Sequence, residues 1–403
     1  MPASVVPPGW FNAASYGNNK AAIQTAVNNA AAQGGGIAYC HGVFREAAGG
    51  EPAISVPQGV RVVGSSVWGA QVIASNDTPL FSLSAHSPEI ENIRVQGYGL
   101  GATQPAIVVQ PGASQAKIRR VEAWGGFNVL QDSGADTEVC DRSFFNLAYG
   151  DALVKKLAGN CWYHHCGFDQ DYPVSDPPPG TIYQPWAANA VYSKGTVVKH
   201  PATIAGLQFL IQCSAPGTSG STAPALQNYE VTIQDGSAQW LLVGSQSYVG
   251  LLFAGGSQFS VTDNDITFMG SAGLQMAATS GGSGFGSIIR GNTFALAAVQ
   301  LDLEQGAAVI VDGNTFVGGI GGMNAQNGWS YAILLQNVFG GDNTISNNQI
   351  TGVDWGIYLN ADSQHNTCGQ GTTLTGNTAW GCRQAAFNPT VATGFKQAGN
   401  SWN

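Results

Sequence analysis

Charge is the scarcest property of this 403-residue chain: Asp, Glu, Lys and Arg together make up 10% of it, against roughly 25% in an ordinary soluble domain. So few charges exclude a body of long solvated helices, which need a polar face of Glu, Lys and Arg. Basic residues are scarcer still, 15 against 24 acids for a net charge of −9. That balance argues against nucleic-acid phosphates or an anionic membrane surface as the main partner. No apolar run approaches the ~18 residues needed to span a bilayer as a helix, so no membrane insertion is expected. The opening MPASVVPPGWFNAASYGNN has neither a basic leader nor a long apolar segment, and no secretory signal is read there. The expectation is a protein made in a cytoplasm and carried outside by other means. Seven cysteines are an odd number without a disulfide-framework spacing, which predicts mostly reduced, buried thiols. A Gly-rich phosphate loop and a nucleophile elbow are both missing, and no cofactor is expected.

What the chain has instead is glycine, 55 residues of it, with abundant Asn, Ser and Thr. These suit an all-β body with many turns. The stretch Val299–Phe316, VQLDLEQGAAVIVDGNTF, shows the unit. Val299, Leu301 and Leu303 alternate with Gln300, Asp302 and Glu304, a period of two that sends the apolar side chains to a core and both carboxylates to the opposite face. Gly306 breaks the run, a second apolar strand follows, and Gly313-Asn314 turns the chain. The same cadence starts at Ile90, Ile118, Val139, Tyr163, Val261, Ile289, Val311, Ile345, Leu374 and Gln397, mostly 21–34 residues apart. A period in the twenties marks a solenoid. Six consecutive copies carry Asn at the fourth position: Asn264, Asn292, Asn314, Asn348, Asn377 and Asn400. Asn tolerates left-handed backbone, and stacked Asn amides bond to one another as ladders. Cys166 takes that place in an earlier copy. The fold expected is a parallel β-helix.

In chain order, residues 1–16 read as an N-terminal arm. Asn19 is positioned to cap a helix through AAIQTAVNNAAAQ, stopped by Gly34–Gly36. That helix would cover the open end of the stack. The first part of the solenoid then runs to residue 176. Between Tyr163 and Val261 the period lapses for 98 residues, opening at the proline-rich Pro177–Pro179, which no central strand would hold. Residues 177–244 are read as a small inserted β module, and 245–403 as the second part of the solenoid.

Two resemblances follow from these residues. YGNNKAAIQTAVNNAAAQGGGIAYCHGVFREAAG with ISVPQGVRVVGSS resembles the start of the pectate-lyase-like β-helix superfamily, common in bacteriophage tailspikes and in secreted polysaccharide lyases, hydrolases and epimerases. The Asp-rich turn usual before the helix is reduced here to Gly17-Asn18-Asn19. The resemblance implies a right-handed parallel β-helix and weakly implies the reaction, since one fold hosts many chemistries. The insert is similar to small chitin-binding-like modules through Trp186, Tyr192, Gly195-Thr196-Val197, Cys213, Pro216–Gly220, Pro224, Asp235-Gly236 and Trp240. That likeness implies sugar stacking by Trp186, Tyr192 and Trp240; in about 60 residues the same aromatics also suffice for a core.

Glycoside hydrolysis needs two carboxylates on one groove. Asp302 and Glu304 share a strand face with Cα atoms roughly 6.5–7 Å apart. Matching apolar frames between coils sets Gln275, Leu334 and Tyr358 beside Asp302, with Gln336 and Asn360 near Glu304. Asp354 and Trp355 complete the expected site: Asp302, Glu304 and Asp354 for chemistry, the others for binding. Asp169 with Asp171, and Asp263 with Asp265, are weaker pairs; Glu138, Asp141 and Arg142 read as a local ion pair. In Cys161–His164–His165–Cys166, adjacent histidines on a strand point apart, so no metal site is read. Arg290 and Arg383 stand too isolated to suggest a lyase base. The expected function is a phage tailspike-type depolymerase that hydrolyses a host surface polysaccharide, homotrimeric, on the virion tail, attached to tail or baseplate proteins through the N-terminal arm. The alternatives are a non-enzymatic receptor-binding tail protein and a bacterial polysaccharide lyase or epimerase.

Overall fold

The computed structural model describes residues 9–169, 183–204, 206–229, 231–245, 248–267, 270–277, 284–305, 308–319, 329–338, 342–359, 371–388 and 396–403. Within them the chain winds as a right-handed parallel β-helix. Each coil contributes one strand to each of three long parallel sheets of 11, 13 and 12 strands, called here I, II and III in the order a coil visits them. The core between the sheets is a single stack of Val, Ile, Leu, Phe and Ala. Asn19 caps the one described α-helix, Lys20–Ala32, by accepting from the Ala22 N–H at 3.1 Å. Its buried Lys20 reaches Glu46 at 2.6 Å. Burial pushes the Glu46 carboxyl up, but hydrogen bonds from Lys20, Thr78 and the Ser75 and Asn76 N–H groups outweigh it and hold it near 2. Trp10–Asn12, expected within an arm, instead pair in parallel with Ile37–Tyr39 as the outermost strand of sheet II.

The corner between sheets II and III is the most regular part of the molecule. The Asn314 Oδ1 accepts from both the main-chain N–H and the Nδ2 of Asn292, each at 3.0 Å. Its own Nδ2 donates to the Ile289 carbonyl at 2.9 Å and to Asn348 Oδ1 at 3.0 Å. The pattern repeats through Asn264, Asn292, Asn348, Asn377 and Asn400. Every amide valence of an inner rung is thereby used inside the protein. Ser143 and Cys166 hold this corner in the two coils before the asparagines: the Ser143 hydroxyl accepts from the Val121 N–H and donates to the Ile118 carbonyl, while the Cys166 N–H donates to Asn264 Oδ1 and its thiol to the Val139 carbonyl. One expectation is corrected. Left-handed backbone belongs to the residue before each ladder Asn, as at Asp263, Gly291, Gly313, Asn347, Gly376 and Gly399, and the ladder residues themselves do not adopt it. Asn is selected there for its amide.

Coils on either side of the insert are neighbours, with Val154 paired to Leu251 and Tyr163 to Val261. The insert itself is an antiparallel sheet of Val197–Ile204, Leu207–Ala215, Ala238–Ser245 and Ile233–Asp235. It seats on the β-helix through Tyr229, whose ring packs 4.8 Å from Tyr149 and whose hydroxyl donates to the Ala148 carbonyl. Asn228 adds a bond from the Leu100 N–H at 2.7 Å. Just before the insert, a buried polar cluster ties two successive coils. Asp132 takes Lys156 and the Tyr163 hydroxyl on one oxygen, each at 2.8 Å, and Gly134 N–H and Thr137 on the other.

Two neighbouring substitutions separate the ladder from its turn. Gly313→Ala adds a methyl into open space at a φ of +64° and should cost about 1 kcal/mol. Asn314→Ala strands the Ile289 carbonyl and two Asn292 donors in a buried corner and should cost about 3 kcal/mol or more. Denaturant unfolding of the two variants checks this; a loss no greater at Asn314 than at Gly313 would contradict the ladder's role.

Candidate functional site

The outer face of sheet I carries the expected carboxylates. Parallel pairing sets Leu252, Gln275, Asp302, Leu334 and Tyr358 in one row across five coils, the register read from the apolar frame. Gln275 Nε2 donates to Asp302 Oδ2 at 3.1 Å and to Glu304 Oε1 at 2.9 Å. Those two oxygens therefore lie no more than about 6 Å apart, the sum of the two distances. Gln336 donates to the other Asp302 oxygen at 2.8 Å. Asp302 is only 4% exposed. Burial, joined by the charge of Glu304, pushes its carboxyl up to about 7 against the lowering effect of the two glutamine bonds.

Strict alternation fails at the start of this strand. Leu301 and Leu303 enter the main core, but Val299 joins an outer cluster with Val249, Ala272, Tyr331 and Leu334. Gln300 is fully buried and donates to the Val317 and Gly318 carbonyls. The same position one coil earlier is Gly273, where a Cβ would meet the core side chains Phe294 and Ile266. Two successive residues thus face inward, and an apolar rail comes to flank the polar one. Trp355 and Tyr358 are half-buried against that rail, their rings edge-on with centroids 5.1 Å apart.

Other expected residues lie elsewhere. Asp354 is fully enclosed: Arg383 Nε sits 2.8 Å from Oδ1, and the Ser330 N–H and hydroxyl both donate to Oδ2. It holds a corner and cannot reach a substrate. Trp240 is the buried centre of the insert, its indole N–H donating to Asp235, as does that of Trp186. Tyr192 packs edge-on against Trp240 and bonds the Ala187 main chain. A sugar platform from Trp240 is thereby corrected, and Trp186 and Tyr192 turn their polar groups inward with it. Asn360 and Asp171 lie outside the described residues.

Sheet III carries a surface the sequence reading missed. Trp68 is 78% exposed, and the Arg94 guanidinium lies 4.1 Å from its ring centroid and 4.9 Å from that of Trp124. Farther along, an open concavity of about 600 Å³ gathers Phe144, His165, Asp169, Asp263, Asp265 and Thr267. Trp68 and Arg94 sit 26 residues apart, so only a known coil register would have joined them.

A raised carboxyl pKa is a stability statement. Folded Asp302 binds its proton more tightly than the unfolded chain does, so its environment loses stability as pH rises from about 4 to about 7. Asp302→Asn removes that penalty. Its apparent Tm should gain on the parent between pH 4 and pH 8, for a swing of up to about 4 kcal/mol; a difference that stays flat with pH would contradict the shift.

The sequence matches no known protein-family model, and no curated protein matches it. Similarity is structural. The chain resembles the Dettilon tailspike protein with a TM-score of 0.50 and 13% identity, over 94% of this chain and 64% of that one. It therefore spans less than two thirds of the tailspike's length. It also resembles the DFA-IIIase of Arthrobacter chlorophenolicus A6 without its lid, with a TM-score of 0.55 and 10% identity over 93% of this chain and 90% of that one. At such identities the likeness establishes the β-helix architecture.

Proposed function

We propose that the protein is a tailspike-type depolymerase that binds a host surface polysaccharide along sheet I and hydrolyses its glycosidic bonds. The observation that carries this reading is one amide, Gln275, bridging two carboxylates of which one, Asp302, keeps its proton to about pH 7. Asp302 protonates the leaving glycosidic oxygen, and Glu304 is the nucleophile or base. A separation of at most about 6 Å is nearer the roughly 5–5.5 Å of retaining glycosidases than the ~6.5–9.5 Å of inverting ones. The polymer would lie along the solenoid, with Trp355 and Tyr358 stacking on sugar rings and Gln336 bonding hydroxyls. Structural likeness to a tailspike and to DFA-IIIase is compatible with this setting, which brings with it a homotrimer on a virion tail.

Asp302→Asn and Glu304→Gln should each abolish reducing-end release from capsular or lipopolysaccharide preparations while leaving the circular-dichroism spectrum unchanged. Parent activity should fall as pH rises through about 7, as the acid is lost. Full activity in both variants would remove the site. A second reading, glycan binding without cleavage, is favoured by the 4% exposure of Asp302 and by the exposed Trp68. Retained binding with unchanged polymer length by mass spectrometry would select it.

A further inference from the structure

On the outer face of sheet II, oppositely charged side chains stack from coil to coil. Arg61 lies 2.9 Å from Glu89, and Lys117 lies 3.2 Å from Glu138. At the next coil the pattern changes to a thiol and an imidazole beside a carboxylate. Glu138 and Cys140 are two apart on the strand Thr137–Cys140 and share a face, while Val139 between them enters the core. Cys140 is buried without belonging to that core. His164 comes from the following coil, one residue beyond the Val139–Tyr163 pair, and so stacks on Cys140. Its Nε2 lies 3.1 Å from Glu138 Oε1. The carboxylate oxygen, the thiol sulfur and the imidazole nitrogen all lie within 4.8 Å of one another.

We propose that Glu138, Cys140 and His164 bind one zinc-like divalent cation. Mixed O, S and N donors suit a borderline-soft metal with tetrahedral preference, and tetrahedral zinc separates such donors by about 3.3–3.6 Å. Lys117 occupies Oε2 of Glu138 and leaves Oε1 toward the site. The surroundings also select the ligating nitrogen: His164 Nδ1 lies 3.0 Å from His165 Nδ1, so a proton donated along that bond leaves Nε2 bare. His165 is thus the outer partner of the kind that orients metal-bound histidines, and its own Nε2 lies 3.9 Å from Asp263 Oδ2, an ion-pair distance. Glu138 and His164 side chains are each 28% exposed, which leaves the fourth position to water. The ligands span two coils, so the cation would clamp one to the next. The cysteines nearest in sequence, Cys161 and Cys166, lie in the core and take no part.

The test is titration of the reduced, untagged full chain with Co²⁺, read by thiolate-to-cobalt charge-transfer absorption and followed by displacement with Zn²⁺. One equivalent with a thiolate band is expected, unchanged in Cys382→Ser. The band should vanish in Cys140→Ser, and affinity should fall tenfold or more in His164→Asn and about tenfold in His165→Ala. Should Cys140→Ser fail to fold, the half-exposed His164→Asn carries the test. A titration without a thiolate band, or parent-like affinity in His164→Asn, overturns the proposal.

Discussion

In-register parallel stacking is the constraint on which the rest of this molecule depends. Each residue has as its neighbours the residues at the same corner or strand position one coil above and below, so a single side chain must suit copies of its own place. The asparagine corner is the purest expression. An amide has two donors and an acceptor that takes two bonds, and a ladder of amides uses them all with no water and no change of geometry along the axis. A carboxylate there would lack the donors, and an apolar residue would strand the main chain. Earlier coils fill the same place with apolar Ile93 and Val121; the corner turns polar at Ser143, and amide-to-amide bonding starts at Asn264.

The same rule builds the sheet I face and explains its electrostatics. A strand in the middle of a stack is covered on both edges, so an outward acid is desolvated by whatever its two neighbours carry. For Asp302 those neighbours are Gln275 and Leu334, one donor and one hydrocarbon. Outward acids on sheet II meet cations instead: the buried Glu89 lies 2.9 Å from Arg61, and the half-buried Glu138 lies 3.2 Å from Lys117. Burial pushes Glu138 up as well, but bonds from His164 and Lys117 outweigh it and hold its carboxyl low, whereas Asp302 is pushed up.

Much of this was legible in the sequence, and the exceptions have physical causes. The ladder and the Gln275–Asp302–Leu334–Tyr358 row follow from a hydrophobic frame that repeats once per coil. Gln300 did not, because a local doubling of inward residues breaks period two with no glycine in its own strand; the glycine that marks the place, Gly273, stands one coil earlier. Asp354 looked like an outward acid beside Trp355; its partner Arg383 lies 29 residues on, and only the coil register brings the two together. Trp240 was ambiguous from the start, since a module this small spends its aromatics on its own core. The Glu138–Cys140–His164 cluster was hidden for the same reason as Asp354: its members touch across coils, while the conspicuous Cys-x-x-His-His-Cys run does not converge.

Burial in the coil stack, joined by the charge of Glu304, holds one carboxyl of the sheet I face protonated near neutrality. The most direct measurement is a pH titration of the aspartate side-chain carboxyl signals by NMR on ¹³C-labelled protein, with Asp302→Asn assigning the resonance. The account predicts a midpoint for Asp302 at about 7. A midpoint near the ordinary aspartate value of about 4 would contradict it.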